Sequence, residues 1–189
     1  WIGHATNLVC EGEMQQVGNR GNFDLDEEAY FSIIQGKTAE LTAVSCRLGA
    51  HYAGATEAVV QAMDDYGRDL GIAFQIADDV LDLWGEERAT GKSLGTDLEK
   101  QKLTLPLIHL LETSTPKDAQ AIRRLLAEAT PDDRVRVRDL LDHSEAPQYA
   151  WSQAERYASK AADALDVLPD SPCKTGLRTL THYVVRRTH

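Results

Sequence analysis

One stretch constrains this chain more than any other. From about Thr56 to Leu83, apolar residues recur at Val59, Val60, Met63, Leu70, Phe74, Ile76, Val80 and Leu81, with no proline among them. At helical spacing they cover much of the helix circumference, and a helix that is apolar on most sides is buried in the middle of its domain. Gly67 and Gly71 lie inside this stretch. Each costs about 1 kcal/mol against Ala in a helix interior, so close contact with another helix is expected there. The same stretch carries Phe74-Gln75-Ile76-Ala77-Asp78-Asp79-Val80-Leu81-Asp82, which places carboxylates inside the most apolar helix of the chain.

The remaining sequence supports an all-α fold. Strand signals are missing. Ile2–Val17 reads as a first helix, closed by the Gly18-Asn19-Arg20-Gly21-Asn22 breakers. Asp24 to Asp26 offer N-caps for a second helix, whose predicted apolar stripe is Tyr30, Ile33 or Ile34, Leu41, Val44, Leu48 and Tyr52. Residues 85–102 form one long irregular segment, of a length that is usually functional. Thr104 before Pro106, Thr115-Pro116, Thr130-Pro131 and Ser171-Pro172 mark helix starts, and a further helix covers about Gln148–Leu168. No linker divides the chain, so residues 1–189 read as a single domain.

Composition narrows the function. With 42% hydrophobic residues the chain can bury a core. Its formal charge of −10 repels nucleic-acid phosphate and anionic lipid headgroups, so no nucleic-acid partner is expected. No apolar run reaches the ~20 residues of a membrane span. Cys10, Cys46 and Cys173 show neither zinc spacing nor a disulfide framework. They read as small buried hydrophobes in a reducing compartment, which points to the cytoplasm. The scattered histidines suggest no metal site, and no serine nucleophile motif is present. The chain opens on Trp1 instead of Met, so an incomplete gene product is expected.

The chemistry-bearing residues follow from charge. Asp78 and Asp82 are four apart and share a helix face with Gln75, while Asp79 is turned roughly 100° away. Buried carboxylates need cations, and oxygen ligands favour Mg²⁺ together with substrate phosphates. The competing reading is a solvated acidic edge. Upstream, Asp64, Asp65 and Asp69 break the one-face geometry and read as a solvated turn beside Arg68. Gly91-Lys92, Gly95, Lys100 and Lys102 follow the Asp cluster, and read either as a surface loop or as a phosphate grip. Lys37-Thr38 sits in the middle of the second helix; Lys37 either snorkels to its edge or faces the same cavity as a phosphate ligand. Cys10-Glu11-Gly12-Glu13-Met14-Gln15-Gln16 reads as surface or as a polar cavity wall.

Together these residues resemble the trans-type polyprenyl diphosphate synthases. Phe74-Gln75 with Asp78-Asp79-Val80-Leu81-Asp82 is similar to that family's second aspartate-rich motif. Gly91-Lys92, Gly95, Asp97, Lys102 and Thr104-Leu105-Pro106 match the segment beyond it, and Lys37-Thr38 the family's Lys-Thr pair. Glu11-Gly12-Glu13 with Gln16 looks like the long-chain octaprenyl and heptaprenyl branch, and Val185-Arg186-Arg187 like the family's closing basic segment. Gln101 stands where Gly is common before the Lys. The terpene cyclases share the fold but differ at the second motif.

The resemblance implies an isoprenoid synthase-type orthogonal helical bundle, of which this chain is the C-terminal half to two-thirds, with the N-terminal helices and the first aspartate-rich motif upstream. It implies a prenyltransferase that joins isopentenyl diphosphate to an allylic prenyl diphosphate, and a homodimer. Mg²⁺ would be held by Asp78 directly and by Asp79 and Asp82 through water. Lys37, Lys92 and Lys102 would stabilise the departing diphosphate, and Thr38 and Gln75 the allylic cation. This chain alone is expected to be inactive. The rival expectation is a non-catalytic regulatory subunit of a heteromeric synthase.

Overall fold

The computed structural model describes residues 1–84 and 96–186. Among them there is no strand. The elements are α1 (Ile2–Gly18), α2 (Glu27–Ile34), a π-helical turn (Gln35–Ala39), α3 (Glu40–Tyr52) and α4 (Glu57–Trp84). After the undescribed stretch come α5 (Thr96–Glu99), α6 (Leu105–Thr113), α7 (Pro116–Glu128), α8 (Pro131–Asp142), α9 (Ala146–Ala164), a 3₁₀ turn (Leu165–Val167) and α10 (Pro172–Arg186).

The long apolar helix is central, as its circumference requires: α3, α9 and α10 all pack on α4. Its Ile72, Ala73, Ile76, Val80 and Leu83 share one core with Leu105, Leu107 and Ile108 of α6. The α9 face turned inward is Ala146, Ala150, Ala154, Ala158 and Ala161, all buried. Small side chains recurring at four or fewer residues let that helix approach closely. Gly67 and Gly71 do the same for α3. A Cβ on Gly67 would stand 2.5 Å from the Thr42 carbonyl oxygen, and one on Gly71 2.7 Å from the Ala39 Cα.

The Thr/Ser-Pro punctuation is used as read. Thr115 and Thr130 accept from the amides of Asp118 and Asp133, and Ser171 accepts from that of Lys174. Asp26 caps α2 by accepting from Ala29. Thr104 occupies the N-cap of α6 without capping it; its hydroxyl is buried and has no hydrogen-bond partner among the described residues. Within the expected irregular segment, Thr96–Glu99 forms a helical turn.

Three expectations are corrected. The apolar stripe of the second helix continues only in part past the π turn: Val44 is buried, but Leu41 is 61% and Tyr52 84% exposed, while Ala39 and Ala43 are buried. A π turn adds a residue to the helical repeat, so the buried face beyond it is shifted from the one that a uniform 3.6 period assigns. The cysteines are free, but Cys10 and Cys173 are exposed and Cys46 is half-buried. Asp64 is no solvated turn residue. It is 5% exposed, in mid-α4, and paired with Arg68 at 3.0 Å and Arg47 at 3.7 Å, with Arg68 also bound to Glu40. A carboxylate buried there is tolerable because two guanidinium groups face it.

The glycine contacts yield a test. Gly67→Ala drives a methyl group into backbone atoms that cannot swing away, and is expected to cost about 1–3 kcal/mol. Gly176→Ala, in α10 with nothing near it, is expected to stabilise by about 0.4–1 kcal/mol. Urea denaturation of both variants against the parent checks the contrast.

Candidate active site

The site forms where the C-terminal half of α4 meets the π turn and the segment leading into α6. Gly12 of α1 is the reason the π turn can lie where it does. A Cβ on Gly12 would sit 2.4 Å from the Lys37 amide nitrogen and 2.9 Å from the Gly36 carbonyl carbon. Backbone packs on backbone, and the two residues after Gly36 are thereby set against α4. The glycine in Glu11-Gly12-Glu13 thus has a steric role. Glu11, Glu13, Cys10, Met14 and Gln15 are exposed, whereas Gln16 is half-buried and lines a small cleft with Tyr30 and Lys102.

Of the carboxylates in the motif, the buried one is Asp79, at 1% exposure; Asp78 and Asp82 are half-buried. Asp79 Oδ1 accepts from Gln75 Nε2 at 2.8 Å and from Lys102 Nζ at 2.8 Å. Its Oδ2 accepts from the Tyr30 hydroxyl at 2.8 Å. Gln75 shares a face with Asp79, four residues on, and its Oε1 accepts from the Thr38 hydroxyl at 2.9 Å. Lys102 Nζ also donates to Asp97 Oδ2 at 2.9 Å. Thr38, Gln75, Asp79 and Lys102 therefore form one connected network, to which Tyr30 and Asp97 also belong.

Electrostatics follow from burial. The Lys102 ammonium is pushed well above its ordinary range: burial alone would lower it, but the charges of Asp79 and Asp97 outweigh that. A lysine raised in this way adds stability that is present below the ordinary lysine pKa, and the stability is lost only as pH climbs through the raised value. The Lys37 ammonium is lowered, first by burial and then by the nearby charge of Lys102. The Asp97 carboxyl is raised by burial and by Asp79, against the pull of Lys102. The Tyr30 phenol is raised strongly by burial and by Asp79, so it stays a proton donor. Lys37 is a partly dehydrated cation beside a second cation, an arrangement that an anion relieves.

Asp78 and Asp82 are the residues that could hold a metal. Asp82 accepts from the Thr96 hydroxyl at 2.9 Å and from the Asp97 amide at 3.0 Å, which orients its carboxylate. Among the described residues, no three acidic, His or Cys side chains converge into a ready cage. Two carboxylates four apart, without a closed cage, fit a hard divalent cation that keeps waters and shares substrate oxygens. Asp79, expected to face a metal through water, has protein donors on both of its oxygens, as Asp82 does; what sets Asp79 apart is its burial and the Lys102 ammonium on its Oδ1. Lys92, Gly91 and Gly95 lie outside the described residues, as does Arg187.

Asp97 belongs to the resembling segment without a chemical role of its own, and Tyr30 belongs to no motif, although it lies on the predicted stripe. A tyrosine hydroxyl on a buried face is the signal that could have found it. Gln101 is the other surprise. It adopts φ +51°, a left-handed conformation that Gly takes freely, which explains why Gly suits this position. Here Gln101 offsets the cost by donating its amide to the Ala127 carbonyl at 3.0 Å and accepting the Gly21 amide at 2.9 Å. The turn directs the next residue, Lys102, back to Asp79.

The family model described as polyprenyl synthetase matches residues 1–143. The chain belongs to the polyprenyl synthetase family. It is 38% identical to octaprenyl diphosphate synthase of Haemophilus influenzae, over 98% of this chain and 56% of that protein. It is 35% identical to heptaprenyl diphosphate synthase component 2 of Geobacillus stearothermophilus, over 96% of this chain and 56% of that one. Among solved structures, a polyprenyl synthase of Caulobacter crescentus complexed with calcium and isoprenyl diphosphate superposes with a TM-score of 0.93. It is 36% identical, with all of this chain and 58% of that one covered. The all-α isoprenoid synthase-type fold is thereby shown. The chain spans little more than half the length of these relatives.

The network makes a prediction of its own. Asp79→Ala removes the acceptor shared by Tyr30, Gln75 and Lys102 and strands a buried ammonium. The expected loss is about 3–5 kcal/mol in chemical denaturation, and Asp79→Asn, which keeps an acceptor oxygen, should lose less.

Proposed function

We propose that the protein carrying this chain is a prenyltransferase. It condenses isopentenyl diphosphate with an allylic prenyl diphosphate and releases a longer all-trans polyprenyl diphosphate. The observation that carries this reading is the meeting of Thr38, Gln75, Asp79 and Lys102 in one network, with Lys37 close enough to feel its charges, in a chain of this family.

Each side chain has a task in that reaction. Lys37 and Lys102 bind the diphosphate and hold it as the carbon–oxygen bond breaks, which stabilises the charge that develops on the leaving group. Lys92 takes the same role by its place in the sequence. Asp78 and Asp82 hold Mg²⁺, which supplies positive charge to the diphosphate when bound. Asp79 acts one layer further out, by holding Lys102. Thr38 donates its proton to Gln75, so its oxygen keeps lone pairs for the electron-poor allylic carbon. Gln75, pinned by Thr38 and Asp79, keeps that wall polar and still. No covalent intermediate with the protein is required.

The family resemblance supports a homodimer in the cytoplasm, with this chain as the C-terminal portion of one domain. Free cysteines suit a reducing compartment, and among the described residues no helix is long and apolar enough to cross a membrane. Similarity to octaprenyl and heptaprenyl synthases supports a long product. The word component in one relative's name favours a second reading, a regulatory subunit of a heteromer.

The deciding experiment supplies the complete gene product with isopentenyl diphosphate, Mg²⁺ and allylic primers of increasing length. Elongated products are expected, sized by chromatography, and chelation of the metal should abolish them. Asp78→Ala is expected to lower turnover by about 100-fold or more; near-normal turnover would overturn the metal assignment. If the protein is inactive alone at every primer length but a second polypeptide turns over with it, the subunit reading replaces the first.

A further inference from the structure

Tyr30 belongs to none of the motifs that point to chemistry, yet it ends at the centre of the site. It lies in the first turns of α2, is 2% exposed, and meets Phe31 edge-on at 5.5 Å between ring centroids. Its hydroxyl is buried with the ring, and donates to Asp79 Oδ2. The other Asp79 oxygen carries both Gln75 and Lys102.

That division of labour has a mechanical consequence. The terminal torsion of an aspartate is soft. A carboxylate gripped at one oxygen can swing about its own axis, and whatever hangs on that oxygen moves with it. Gripped at both, it cannot. The linkage also runs outward. Lys102 bridges Asp79 and Asp97, and the Asp97 amide donates to Asp82 Oδ2. A single phenol on α2 is thus connected, through Asp79, Lys102 and Asp97, to a carboxylate at the end of α4.

We propose that Tyr30 is a positioning residue for diphosphate binding: its hydroxyl locks the Asp79 carboxylate so that Lys102 is held at a fixed place beside Lys37. The proposal rests on the prenyltransferase reading, since it takes a diphosphate as the ligand that the two lysines receive. It assigns the phenol no contact with the substrate and no proton transfer.

Titration calorimetry of the complete gene product with inorganic pyrophosphate and Mg²⁺ tests it. Tyr30→Phe keeps the ring and its packing and removes only the hydroxyl. Pyrophosphate affinity is expected to fall about tenfold or more, by analogy with the scale on which outer partners of metal ligands act. The decisive measurement is the cycle with Lys102→Met. If Tyr30 acts through Lys102, Tyr30→Phe weakens binding in the parent and changes it little once Lys102 is gone. A merely structural tyrosine would lower the melting temperature in both backgrounds without that dependence. Parent affinity in Tyr30→Phe, or losses that add in the double variant, overturns the proposal while leaving the prenyltransferase reading standing. A parent protein that binds no pyrophosphate overturns both. Should Tyr30→Phe not fold, Asp79→Asn replaces it in the cycle, with the same loss and the same dependence on Lys102 expected.

Discussion

A carboxylate at 1% exposure, inside the most apolar helix of the chain, is the constraint around which the rest is arranged. Asp79 can stay there only if its charge and its lone pairs are met. The molecule meets them from three directions: a phenol from α2, an amide from its own helix and an ammonium from the segment before α6. Two of those partners, Tyr30 and Lys102, come from elements far from Asp79 in the chain. Satisfying one buried group therefore sets how α2, α4 and the approach to α6 sit together. Asp78 and Asp82 stand at the less buried margin of the same helix.

Close backbone approach is the second condition. Lys37 and Thr38 reach the network because they sit in a π turn, and the turn is pressed against α1 at Gly12 with no room for a side chain. On the other flank, Gly67 and Gly71 let α3 settle on α4. Each glycine costs helix stability by itself, and each returns it as proximity that no larger residue permits. The left-handed Gln101 belongs to the same logic. A locally unfavourable backbone is held by hydrogen bonds to Ala127 and Gly21, and it turns Lys102 inward.

The two inward lysines differ in character. Lys102 has its counter-charges in place, and its ammonium is stabilised by Asp79 and Asp97. Lys37 has lost water and faces another cation, so its ammonium is the less comfortable. Around Lys37, burial and the charge of Lys102 outweigh the carboxylates of Asp79, Glu13 and Asp97. A polyanion would offset what burial removes, and this physical point agrees with membership of a family whose relatives here carry diphosphate synthase names.

Much of this could be read from the residues alone. The apolar run identified α4 and its central place, the Thr-Pro and Ser-Pro pairs identified helix starts, and Gln75, Asp78-Asp79, Asp82 and Lys37-Thr38 carried the resemblance to the family. These signals are local, and local spacing survives in a linear string. Tertiary structure alone decided which carboxylate would be buried, because helix geometry separates the faces of Asp78 and Asp79 but does not say which face Tyr30 and Lys102 will cover. It alone revealed that Asp64 is paired with Arg47 and Arg68, and that Leu41 and Tyr52 turn outward, since one extra residue in a helical turn leaves no mark in composition or period. The sequence determined the helices, the family and the candidate ligands; the packing of those helices determined which oxygen meets which proton, because burial and hydrogen bonding are properties of neighbours in space.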